Sequence, residues 1–178
     1  MKTNVLSSAN VMKRALLTAV TVTVAVALPW LCHLLGGVLG MSTGLGEILL
    51  PMHLPVMLAG MLWGPVAGLV SGLVSPALSM ALTAMPTPVM LPFMTVELAV
   101  YGLTAGLLTR TKLPAFPRVL LTQLAGRVAR ALVLAVAVYG FGFSRLPISL
   151  VWTSVYVGLA GILLQWAVLP LLGREGDR

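Results

Sequence analysis

Charge almost vanishes between Ala15 and Thr109, where Glu47 and Glu97 are the two charged side chains in a field of Leu, Val, Ala, Met and Gly. The apolar residues do not alternate with polar ones at a helical or a strand period. They run on without a wet face. A surface of that kind cannot hold water, so the medium it meets is lipid. A bilayer core is crossed by about 20 apolar helical residues. Divided at its breakers, the chain predicts a single all-α integral membrane domain, residues 1–178, with six transmembrane helices over 11–35, 53–63, 65–84, 89–108, 118–141 and 148–172.

The breakers shape these spans unequally. The first run is long, carries Pro29 and Trp30 in its last turns, and ends without a small-x-small cleavage site, so it predicts a retained span rather than a signal peptide. GGVLGMSTGLGE, 36–47, predicts a glycine-rich loop. In ILLPMHLPVMLAGMLW, Pro51 and Pro55 each remove a backbone donor and disfavour helix in the preceding residue. The second helix is therefore expected to begin only at His53, with an irregular segment before it lying against protein. Gly64-Pro65 predicts a tight turn. In the third span Gly64, Gly68 and Gly72 recur every four residues, as do Ser71, Ser75 and Ser79, and both stripes read as packing surfaces. Pro76 predicts a bend. MPTP, TRTKLPAFP and GFSRLP close the later spans, and Trp152 and Trp166 are expected as interfacial anchors of the sixth.

Composition narrows the function classes. Only 8% of residues are charged, against about a quarter in globular domains, so no separate soluble domain fits. The net charge of +7 does not point to nucleic acid, because no basic patch is interleaved with aromatics. The basic residues cluster instead at Lys2, Lys13 and Arg14, at Arg110, Lys112 and Arg118, and at Arg174 and Arg178. Under the positive-inside rule these are cytoplasmic, which places both termini inside and leaves Glu47 and Arg145 outside. Cys32 is the single cysteine, so neither an intramolecular disulfide nor a cysteine-rich metal site can form. No histidine pair stands at metal spacing, and no cofactor or metal is expected.

Three ionisable groups fall inside the membrane. Glu97 lies roughly 12 Å from the outer end of the fourth span and Arg130 roughly 20 Å from the outer end of the fifth, at 1.5 Å per residue. Groups at such depth face the bundle interior, pair, or line a wet cavity. Arg127 and Arg130, three apart, share one face of their helix with Gln123, and Tyr101 shares the face of Glu97. One acid against two bases leaves a positive surplus. That surplus reads either as a structural pair plus a spare cation, or as an anion site in which the second guanidinium takes a carboxylate or phosphate. His53, beside two prolines at the start of a short span, stands where transporters place substrate sites. His33 reads as a packing residue. No Ser-His-Asp set, HExxH, paired acids or phosphate loop is present, so the chain is not expected to be an enzyme.

The block PMHLPVMLAGMLWGPVAGLVSGLVSPALSMALTAMPTPVMLPFMTVELAVYGLTAGLL, together with LAGRVAR, resembles the substrate-binding S components of energy-coupling factor (ECF) transporters. The resemblance rests on the H-x-P-V-x-x-A-G opening, the G-P turn, the M-P-x-x-x-M-L-P loop and E-L-A-x-Y-G, in that order. It implies a multi-pass protein of the bacterial cell membrane that binds a vitamin-like small molecule from outside. It also implies partners, a transmembrane coupling subunit and two ATPase subunits, on which the S component docks as it reorients. The A-x-x-x-A pattern through which such proteins meet the coupling subunit is supplied here by Ala15 and Ala19.

The expected function is thus a substrate-binding subunit of an ATP-driven importer for a carboxylate-bearing vitamin or cofactor precursor. Its expected pocket opens outward and is formed by the 36–52 loop, the 85–90 loop and the fourth and fifth spans, with Glu97, Arg127, Arg130, His53, Tyr101 and Gln123 as binding residues. The rival reading is a standalone small-solute transporter or channel.

Overall fold

A computed structural model describes residues 8–40, 44–143 and 149–173. Every regular element among them is helical: α1 (Ser8–Val38), α2 (Gly44–Leu49), α3 (His53–Trp63), α4 (Pro65–Thr83), α5 (Leu91–Leu108), α6 (Ala115–Ala135), α7 (Leu150–Val157) and α8 (Leu159–Gly173). Five stretches are long and apolar enough to cross a membrane: Val11–Val38, Gly44–Trp63, Pro65–Thr83, Leu91–Leu108 and Ala115–Gly140. The shorter apolar helix Leu159–Leu172 continues from α7 as the sixth pass. Their outward faces expose Leu16, Val24, Leu73, Leu124 and Leu163, a surface suited to hydrocarbon rather than water.

The bundle is held by a backbone-to-backbone seam. A Cβ on Gly68 would stand 2.2 Å from the carbonyl oxygen of Gly102, and one on Gly72 would stand 2.3 Å from that of Leu98. Only hydrogen at these positions lets α4 and α5 approach so closely. Gly60 of α3 meets Gly102 in the same way, so three helices share one seam. The stripe partner Gly64 does something else: at φ 98 it turns the chain, donating its N–H to Gly60 O at 3.0 Å, and Pro65 opens α4. α4 continues as one helix through Pro76. Ser71, Ser75 and Ser79 are all buried along it.

Three expected boundaries are corrected. Helix reaches into both ends of the expected 36–47 loop, because α1 runs on to Val38 and α2 begins at Gly44; glycine weakens a helix without forbidding it. The second pass is consequently discontinuous. α2 stops at Leu50, whose φ of 48 is left-handed, and α3 restarts at His53 with its N–H on Leu50 O at 3.1 Å. The sixth span is also two helices, joined at Gly158, which packs against the side chain of Leu50. The fifth span starts earlier than expected, at Ala115, and ends in a π-helical turn, Val136–Gly140.

Two side chains depart from their expected settings. Arg118, assigned by charge to a cytoplasmic loop, is buried in the first turn of α6. Trp166, expected as an interfacial anchor, is half-buried with its ring edge-on to Phe116 at 5.9 Å. Its indole N–H donates inward to Gln123. Lys2, Arg145, Arg174 and Arg178, which carry part of the sidedness argument, lie outside the described residues.

Candidate functional site

α5 presents Glu97 and Tyr101 four residues apart on one face, and both are buried. α6 presents Arg127 and Arg130 three apart on the face turned toward them. The carboxylate of Glu97 is completely buried, and it is shared. Its Oε2 accepts from Arg130 Nη1 at 2.8 Å, and its Oε1 stands 3.2 Å from Arg127 Nη1. The Tyr101 hydroxyl donates to Oε1 at 3.1 Å. His53, at the first turn of α3, brings Nε2 to 3.9 Å of the same oxygen, with its ring 5.3 Å from that of Tyr101.

Glu97 therefore pairs with both arginines. With two guanidiniums against one carboxylate, the cluster keeps a formal surplus of positive charge. Arg127 uses Nη1 a second time, donating to Ser154 Oγ of α7 at 3.0 Å, while its buried Nη2 makes no hydrogen bond among the described residues. Tyr101 is wedged by α6: a Cβ on Gly126 would meet its ring at 2.4 Å. The tyrosine thus fixes the acid, and the acid fixes the arginines.

Above this cluster lies a cavity of about 390 Å³. Arg130 and His53 form part of its wall, along with Pro29 and His33 of α1, Glu47 of α2, Ser79 of α4 and Ser154 of α7. These positions fall late in α1, α4 and α6 and early in the passes that follow, so the cavity sits at one end of an alternating bundle. That is the end opposite the basic loop at Arg110 and Lys112. Neither ring nitrogen of His53 makes a hydrogen bond among the described residues.

Of the six expected binding residues, two line the cavity, Arg130 and His53. Glu97, Arg127 and Tyr101 join them from behind the wall. Gln123 does not. Its amide donates to Gln165 Oε1 at 2.8 Å and its carbonyl oxygen accepts from Trp166, so it ties α6 to α8. The reason is one of depth: Gln123 lies seven residues before Arg130 on nearly the same face, about 10 Å farther from the cavity end of α6, and at that level its partners are Gln165 and Trp166 of α8. Sequence reasoning placed Glu47 inside the pocket-forming 36–52 loop without naming it as a binding residue, and it missed His33 and Ser154.

Ala15 and Ala19 lie on the exposed side of α1, away from the seam. Among the described residues no group of three or more His, Cys, Asp or Glu can hold a metal ion.

A family model described as "ECF transporter, substrate-specific component" matches residues 10–173 of the chain. No curated protein and no solved structure matches it.

Proposed function

The chain belongs to the substrate-specific components of ECF transporters, and on that premise we propose that it captures a carboxylate-bearing vitamin or cofactor precursor in the outward cavity. As a member of that family it is a multi-pass membrane subunit that binds a small substrate and works with a transmembrane coupling subunit and ATPases. The finer reading concerns what is bound and by which groups.

One observation carries it. Arg130 spends a single amino nitrogen on Glu97 and is at the same time part of the cavity wall. A guanidinium has five N–H donors in a planar fork, and a carboxylate accepts two of them at once. At this depth an unsatisfied cation is costly. A carboxylate entering from outside removes that cost and neutralises the surplus charge. Arg127, held by Glu97 and Ser154, keeps the cluster from collapsing onto the vacated side. His53 lines the same cavity.

Energy enters from outside the chain. The exposed small face of α1 at Ala15 and Ala19 is the proposed seat of the coupling subunit, because small side chains let two helices approach closely. Two ATPase subunits behind it drive import across the bacterial cell membrane.

The test is direct. The full-length protein is purified in detergent, denatured, and the released small molecule identified by mass spectrometry. An organic anion is expected. A neutral or cationic ligand overturns the carboxylate reading.

A further inference from the structure

Glu47 is a second charged side chain on the cavity wall. It is exposed, whereas the Arg130 side chain is 13% exposed, so the acid stands toward the mouth and the base toward the floor. No ion pair or hydrogen bond joins Glu47 to another described residue, and it is not among the residues with further partners.

Its position is nonetheless firm. α2 is clamped from two sides. A Cβ on Gly46 would stand 2.6 Å from Cε1 of His33 in α1, and one on Gly161 of α8 would stand 2.4 Å from the carbonyl oxygen of Leu49. An acid carried on a seated helix at the mouth of a largely apolar cavity offers an acceptor to a donor on the ligand. The same wall carries four of the ten methionines in the chain, Met52, Met85, Met90 and Met94. Methionine sulfur is polarisable and makes favourable contacts with aromatic rings.

We propose that the cavity reads an aromatic ligand at both ends, with Arg130 taking an anionic group at the floor, the methionines taking the ring, and Glu47 taking an N–H donor at the mouth. The donor is an amine, an amide or a ring N–H. This rests on the anion reading above and adds Glu47 as a specificity-determining residue.

The test uses matched synthetic probes, so that no natural ligand need be known and no span is assumed. Thermal unfolding of the detergent-purified full chain is titrated with benzoate and 4-aminobenzoate, with biphenyl-4-carboxylate and its 4′-amino derivative, and with benzamide as a neutral control. The amino member of at least one pair is expected to bind about tenfold more tightly than its parent, the size of a hydrogen bond to a charged group. Glu47→Gln is expected to abolish that preference while binding of the parent acid is retained or tightened, because a negative charge leaves the cavity wall; the unliganded melting temperature reads whether the fold survives. If the parent acids bind but the amino group gains nothing, or if E47Q keeps the preference, the two-ended reading fails and the anion site stands. If none of the carboxylates binds better than benzamide, both fail together.

Discussion

Arg130 and Glu97 form the tightest charged contact of the cluster, Nη1 to Oε2 at 2.8 Å, and the arginine side of that contact opens onto the cavity while the acid side is sealed. The pair is thus asymmetric. The carboxylate is enclosed by the protein, and the arginine borders the cavity. An arginine so anchored is pre-organised, and little rotamer freedom is lost when it meets an anion.

Glu97→Gln leaves two guanidiniums facing each other with no counter-charge. Breaking a buried ion pair by removing one partner costs about 3–5 kcal/mol. The melting temperature of the detergent-purified variant is expected to fall sharply, and ligand retention with it. An unchanged melting temperature would show that the two arginines do not depend on Glu97.

Arg130→Gln and Arg127→Gln separate the cavity wall from its support. The first is expected to lose co-purified ligand almost completely. The second, which alters a residue behind the wall, is expected to lower thermal stability while keeping part of the ligand. Mass spectrometry of the released molecule, normalised to protein, reads both. Equal loss in the two variants would contradict the separation.

Gly102→Ala places a methyl 2.1 Å from the carbonyl oxygen of Gly68, where backbone cannot yield cheaply. Loss of the folded, monodisperse protein on size-exclusion chromatography is expected. Gly37→Ala is the control. A Cβ there meets nothing within 4 Å, and exchanging a helical glycine for alanine favours the helix by roughly 0.5–1 kcal/mol. Its melting temperature should hold or rise.

Gln123→Leu removes the two hydrogen bonds that Gln123 makes to α8 and leaves the Trp166 N–H and the Gln165 carbonyl oxygen without those partners. A buried group left unsatisfied costs about 1–3 kcal/mol. Stability is expected to drop while ligand affinity, measured on the folded fraction, does not change. A large affinity loss would return Gln123 to the binding site.

Ala19→Trp fills the exposed small face of α1 without touching the cavity. Ligand binding and melting temperature are expected to persist, whereas co-purification with the coupling subunit and substrate uptake by cells are lost. Uptake at the level of the unaltered protein would move the docking surface elsewhere.

The amino-acid order alone settled the all-helical membrane character, the six passes, and the gathering of Glu97, Arg127 and Arg130 into one group. These are local facts. An apolar run sets its own solvent, a charge inside it must find a partner, and residues three or four apart share a face whatever the fold. Tertiary structure decided which neighbour each face meets. It turned Gln123 toward α8, shared Glu97 between two arginines, broke the last pass at Gly158, and seated α2 so that Glu47 and His33 entered the cavity wall. Helical periodicity carries no information about the rotation of one helix against another. That rotation is set by close contacts such as Gly68 on Gly102 and Gly46 on His33, between residues far apart along the chain.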